Sequence, residues 1–69
     1  MTNADPLDTW TGLNAAIMTM GEDECHSLLD RERYAGRRRL QFMLRIHSRI
    51  NLLRARRERA ELAAEAIKR

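Results

Sequence analysis

Cysteine is almost missing from this chain of 69 residues, and the lone Cys25 excludes the internal disulfide that staples many small secreted domains. Long apolar runs are missing too, so no membrane-spanning segment is expected, and the opening "MTNADPLDTW" has no basic stretch leading into an apolar one, as a signal peptide would. The chain reads as a cytoplasmic protein with no membrane partner. Catalytic and cofactor motifs are absent, which argues against an enzyme and implies no cofactor. A metal site is not expected either: Cys25 and His26 are adjacent, His47 lies far along the chain, and zinc needs three or four convergent ligands. The bland assignments are Cys25 in the core, His26 on the surface, and His47 at a boundary, hydrogen-bonded within the fold. Zinc-finger spacing, an RNP motif and a helix-turn-helix recognition pattern are likewise missing.

A chain this short buries only about 60% of its unfolded surface, so a lone domain would be marginal and help from a partner chain is expected. What the chain has in quantity is charge, unevenly placed. Residues 1–30 carry six acids and no base, whereas residues 31–69 carry thirteen bases against four acids, giving −6 and +9 within a net +3. Between positions 33 and 57 there are nine arginines and no acid. Like charge at that density costs repulsion unless acidic residues or an external anion neutralise it.

The pattern predicts an all-α fold forming a single domain over 1–69: two short helices, about 6–20 and 22–35, and one long Arg-rich amphipathic helix, about 38–67. Asp5 is placed as an N-cap with Pro6 in the first turn. Trp10, Leu13, Ile17 and Met20 then follow at spacings of three and four and form one apolar stripe. Gly21 breaks that pattern, and "EDE" starts the second helix with Thr19 or Gly21 as its cap. The buried face of this helix is expected to be Cys25, Leu28, Leu29 and Ala35, and Gly36 suits a left-handed terminus. In the third helix, Met43, Ile46, Ile50, Leu53, Ala60, Ala64 and Ile67 form a heptad seam that only Arg57 interrupts. Such a seam serves as the core of a helical hairpin or three-helix unit, or as an oligomer contact. Self-association into a homodimer or higher oligomer is expected to complete the fold.

On a helical wheel Arg38, Arg45, Arg49 and Arg56 fall within about 40° of one another, away from the centre of the seam. They form a stripe that either serves only as a polar back or binds an anionic partner. An acidic protein surface, met by bidentate guanidinium chemistry, is the leading expectation. Nucleic acid is the alternative, with Tyr34 beside "AGRRR" as a base-stacking residue. Glu58, Glu61 and Glu65 should pair with arginines three or four positions away.

The acidic helix with Leu28, Leu29 and Glu32, the Gly-basic turn from Gly36 to Arg39, and the helix carrying Arg45, Ile46, Arg49 and Ile50 together resemble short helical accessory proteins encoded by tailed phages and prophages. About half the chain carries the resemblance. It implies no enzyme, a host protein or nucleic acid as the target, and the host cytoplasm as the location.

Overall fold

A computed structural model describes residues 5–34 and 37–67. The fold is all-α: α1 (Trp10–Ile17), α2 (Glu22–Tyr34) and α3 (Leu40–Ile67), with the long helix packed against the other two. Ala35 and Gly36, to which the sequence assigned a core position and a helix terminus, lie outside the described residues.

Each boundary has a local cause. Asp5 does not cap a helix starting at residue 6. Its carboxylate accepts from the Leu7 N–H and its carbonyl from the Asp8 N–H, both at 2.9 Å, so Pro6 sits in a tight turn. The N-cap of α1 is Thr9, extended at φ −137°, whose hydroxyl accepts from the Gly12 N–H at 3.0 Å. Gly12 suits that closure, because a Cβ there would lie 2.9 Å from the Thr9 hydroxyl. Gly21 caps α2: its carbonyl accepts the first helical bond, from Cys25 N, and Glu24 Oε1 reaches back to the Gly21 N–H at 2.9 Å, the one half of a capping box that a glycine can make. The first turn of α2 concentrates Glu22, Asp23 and Glu24 where the helix dipole favours anions.

Three pairings fix the direction of α1. Trp10 meets Phe42 edge to face at 5.6 Å, Asn14 accepts from Arg45, and the Ile17 carbonyl accepts from Arg49. Partners advance together along both helices, so α1 runs parallel to α3. In α2 the order reverses, with Glu22 beside Arg57 and Glu32 beside Arg39. The path is therefore up, down, up.

The core is Leu7, Leu13, Ile17, Cys25, Leu28, Leu29, Phe42, Ile46 and Ile50, with Met20, Met43 and Leu53 partly buried against it. The proximal half of the heptad seam is thus spent inside the molecule. Its distal half is not: Ala60, Ala64 and Ile67 are all exposed. Arg57 marks the change, reaching Glu22 at the start of α2 with Nε to Oε1 at 2.9 Å. Beyond it residues 58–67 project for about 15 Å at 1.5 Å per residue. The projection lengthens the molecule to 49 Å along one axis and gives a radius of gyration of 14.8 Å, against about 11 Å for a compact chain of this size.

One side chain departs from the predicted stripe of α1. Leu13 and Ile17 are fully buried, but Trp10 is 46% exposed at the edge of the bundle. Cys25 is buried in the core, and burial pushes its thiol pKa up. No helix among the described residues is long and apolar enough to cross a membrane.

Candidate interaction surface

The junction between α2 and α3 is organised by a carboxylate that the sequence reading gave no structural part. Glu32 lies three residues beyond Leu29 and four beyond Leu28, on the buried face of α2, and its side chain has no solvent exposure. Arg39 satisfies it completely. The Arg39 backbone N–H donates to Glu32 Oε2 at 2.8 Å, Nε to the same oxygen at 3.0 Å, and Nη2 to Oε1 at 2.9 Å. These bonds hold the Glu32 carboxyl below the usual carboxylate range against the opposing effect of burial. Arg39 also donates to the Leu7 carbonyl at 2.6 Å and lays its guanidinium 3.6 Å from the centre of the Phe42 ring. Because the Arg39 carbonyl accepts from Met43 N, the same residue caps α3, which starts at Leu40 rather than at 38. The spacing of Glu32 from Leu28 and Leu29 was the available signal for its burial.

The predicted arginine stripe is not a single surface. Arg38 precedes α3 with φ 45°, in the left-handed region, and donates from Nε to the Arg33 carbonyl at 3.1 Å. Arg45 is half-buried and tied to the Asn14 side chain. Arg49, expected to contact a partner, is instead buried, donating to the carbonyls of Ile17 at 3.0 Å and Met18 at 3.3 Å, where it caps the C-terminus of α1. Of the four, Arg56 alone is both helical and exposed. The physical reason for the correction is α1. The heptad seam marks only the side of α3 that faces α2, whereas α1 occupies the neighbouring flank and takes Phe42 and Arg49 into contact.

Other charges are spent within the chain. Arg31 bridges to Asp5, Arg33 lies 3.9 Å from Asp30, and Arg57 joins both Glu22 and Glu61. Hydrogen bonds from Leu7 N and Arg31 lower the Asp5 pKa, and the Arg57 guanidinium lowers that of Glu22. The expected pairing of α3 acids with nearby arginines is present at Glu61. His26 is exposed. His47 is exposed too, with its ring 3.5 Å from the Asn51 amide. Among the described residues, no carboxylate lies within salt-bridge distance of Arg37, Arg38, Arg45, Arg49, Arg54, Arg56 or Arg59.

Five of these arginines, all but Arg54 and the buried Arg49, collect in two places. One is the α2 to α3 connection, where Arg37 donates to the Leu7 carbonyl and Arg38 to that of Arg33, next to Tyr34, which is 74% exposed with the Arg33 guanidinium 6.0 Å from its ring centre. The other is the outer side of α3. Leu44, Ser48, Leu52, Ala55, Arg59, Leu62 and Ala66 follow at steps of three or four and are all exposed. Arg45 and Arg56 flank this row, and a shallow groove lined by Trp10, Gln41, Leu44, Arg45 and Ser48 opens at its proximal end. No acid occurs in α3 before Glu58; at about 100° per residue, Glu58, Glu61 and Glu65 fall on the side of the helix away from Arg45 and Arg56.

Comparison with protein-family models, with curated proteins and with solved structures found no match.

Proposed function

We propose that this chain is a non-enzymatic helical interaction protein that docks an acidic protein partner through the outer side of α3. The observation that carries the reading is the interleaving of exposed Leu44, Leu52 and Leu62 with Arg45, Arg56 and Arg59, none of which has a carboxylate partner among the described residues. Arginine beside large apolar side chains is the composition of a protein interface, where the apolar groups are desolvated and the guanidiniums form forked bonds to carboxylates. A surface for duplex phosphates has no comparable use for a row of leucines. The resemblance to small phage-encoded accessory proteins agrees with such a role, with a host protein as partner and the host cytoplasm as the location. Self-association belongs to the same reading and is assigned to the free distal seam of Ala60, Ala64 and Ile67.

A second reading has its own observation. Tyr34 stands exposed at a tip with the Arg33 guanidinium beside its ring and Arg38 bound to the Arg33 carbonyl, and Arg38 adopts a left-handed backbone that costs a non-glycine residue about 1 kcal/mol. An aromatic face among guanidiniums suits single-stranded nucleic acid.

One experiment separates the two. Tagged protein is used to capture partners from host lysate with and without nuclease, beside a variant with Arg45, Arg56 and Arg59 changed to glutamate. A protein that survives nuclease and is lost with the α3 variant supports the first reading. Capture that nuclease abolishes, together with nucleic-acid binding at 150 mM salt that Tyr34→Ala and Arg38→Gln weaken at least tenfold, replaces it with the second.

A further inference from the structure

The outer side of α3 carries more information than its charge. Leu44, Ser48, Leu52, Ala55, Arg59, Leu62 and Ala66 run at helical spacing over 23 residues, about 33 Å of helix. The row itself contains no helix breaker and no acid, and it lies opposite α2; Arg45 and Arg56 border it on one flank, and Glu58 and Glu61 border its distal half on the other. Leu44 is 54% exposed, Leu52 42% and Leu62 62%, so three of its large side chains are available for burial. Small Ser48 and Ala55 separate them, leaving holes between the leucine knobs. The exposed Trp10 adds a wall at the proximal end, where the groove with Leu44 and Arg45 opens. A loop or a flat surface would touch such a row at one or two points, whereas a second helix touches it along its whole length.

Resting on the reading of this face as the site for an acidic partner, we propose that the occupant is an acidic amphipathic α-helix lying lengthwise on the row. Its apolar stripe covers Leu44, Leu52 and Leu62, and its carboxylates meet Arg45, Arg56 and Arg59. Charge selects this occupant over a second copy of the chain. Two copies joined through this row in antiparallel would set the flank of Arg45 and Arg56 against itself and the flank of Glu58 and Glu61 against itself; in parallel they would stack Arg59 on Arg59 within the row, and only the distal Arg56 would meet an acid, leaving Arg45 without one because α3 has none before Glu58. Like charges juxtaposed at an interface are a penalty, and a helix with glutamates on that flank converts it into attraction. The proximal groove sets the register, because it accepts one large apolar side chain between Trp10 and Leu44, with the Arg45 guanidinium at its edge.

The test uses the full chain and three labelled synthetic peptides of 28 residues, followed by fluorescence anisotropy at 150 mM salt. The first peptide has leucines at heptad core positions and glutamates beside them. The second has lysines in place of the glutamates, and the third is the glutamate peptide with two central prolines, which cannot form a continuous helix. The expected result is saturable binding of the first peptide with a gain in helical circular dichroism, at least tenfold weaker binding of the third, and none of the second. Leu62→Ser and Arg59→Glu, both exposed and far from the core, should each weaken the first peptide at least fivefold while leaving the thermal transition of the protein in place. Equal binding of the proline peptide overturns the helical occupant but leaves the acidic-partner reading standing. Failure of every acidic peptide at 100 µM overturns the inference, and the nuclease-resistant capture with the triple arginine variant then decides the broader reading separately. Binding of the lysine peptide as tightly as the glutamate one removes both.

Discussion

Glu32 and Arg39 show how much of this small fold depends on one buried charge. The carboxylate accepts three bonds from a single arginine, which at the same time caps α3, covers Phe42 and reaches the carbonyl of Leu7. Glu32→Gln removes the charge from this carboxylate's bonds while the partly exposed Arg39 keeps access to water, so it is expected to cost about 1.5 kcal/mol in denaturant unfolding, the net worth of a hydrogen bond to a charged group. In a chain whose whole stability is a few kcal/mol, that shows as a large loss of folded population. The pH dependence follows from the sign of the shift. The folded-state pKa of Glu32 lies below its unfolded value, near 4.3 for a free glutamate, so the unfolded state binds the proton more tightly. The stabilisation is complete above that unfolded value and is lost as pH falls through the lower folded one. Asp5 and Glu22 are shifted in the same direction and add to the acid sensitivity. Melting curves between pH 7 and pH 2.5 should therefore fall steeply in the acid range for the wild type and less steeply for Glu32→Gln; identical slopes would contradict the assigned role.

At the level of elements, α1 is the weakest part. Eight residues form too short a helix to persist alone, so its order depends on Leu13 and Ile17 in the core and on Arg49 at its last carbonyls. Arg49→Met keeps the volume and the apolar stem but removes the donors, leaving buried carbonyls short of partners at a cost of about 2 kcal/mol. Hydrogen exchange should then accelerate across α1 more than across α2 or the proximal half of α3. Uniform acceleration would mean that Arg49 supports the whole bundle rather than one helix end. This arginine also shows where sequence reading stops. Heptad spacing identified Ile46 and Ile50, the acidic run located the start of α2, and Leu28 and Leu29 marked its buried face, because each of these signals is local. The position of α1 beside α3 is not local, and it converts an arginine on the apparent polar back into a buried cap. The start of α1 was misplaced for a related reason: Asp5 and Pro6 favour a tight turn as well as a helix start, and only the Thr9 cap distinguishes them. Glu32 was legible in its spacing, but the Arg39 that satisfies it lies across the chain reversal. Of the expected partner-binding residues, Arg45 and Arg56 remain on the outer flank of α3, Arg38 and Tyr34 mark the tip, and Arg49 leaves the set.

For the molecule as a whole, the charge separation visible in the sequence is partly cancelled by folding. Glu22 and Asp5 each take one arginine from the basic half, and Glu32, itself in that half, takes another, which leaves the tip and the outer side of α3 as the basic surfaces. The apolar surface is divided in the same way. Met43, Ile46, Ile50 and Leu53 are committed to the core, so Ile50→Asp is expected to unfold the chain rather than dissociate an assembly, because the added carboxylate has no partner there. Any association through the heptad seam must use Ala60, Ala64 and Ile67, where small side chains permit close helix approach and Ile67, 82% exposed, gains about 1.5 to 3 kcal/mol from full burial. An antiparallel pairing of two projecting ends would let each cover the free seam of the other without displacing α1 or α2. Light scattering at tens of micromolar should therefore report at least a dimer for the wild type. Ala64→Glu combined with Ile67→Asp should return it to a monomer whose proximal bundle melts as before, since both positions lie beyond the core. A wild-type monomer at 100 µM removes self-association and leaves the outer side of α3 as the one proposed contact; a dimer that survives the double substitution moves the contact off the distal seam, and Leu62→Ser then tests whether the outer row holds it.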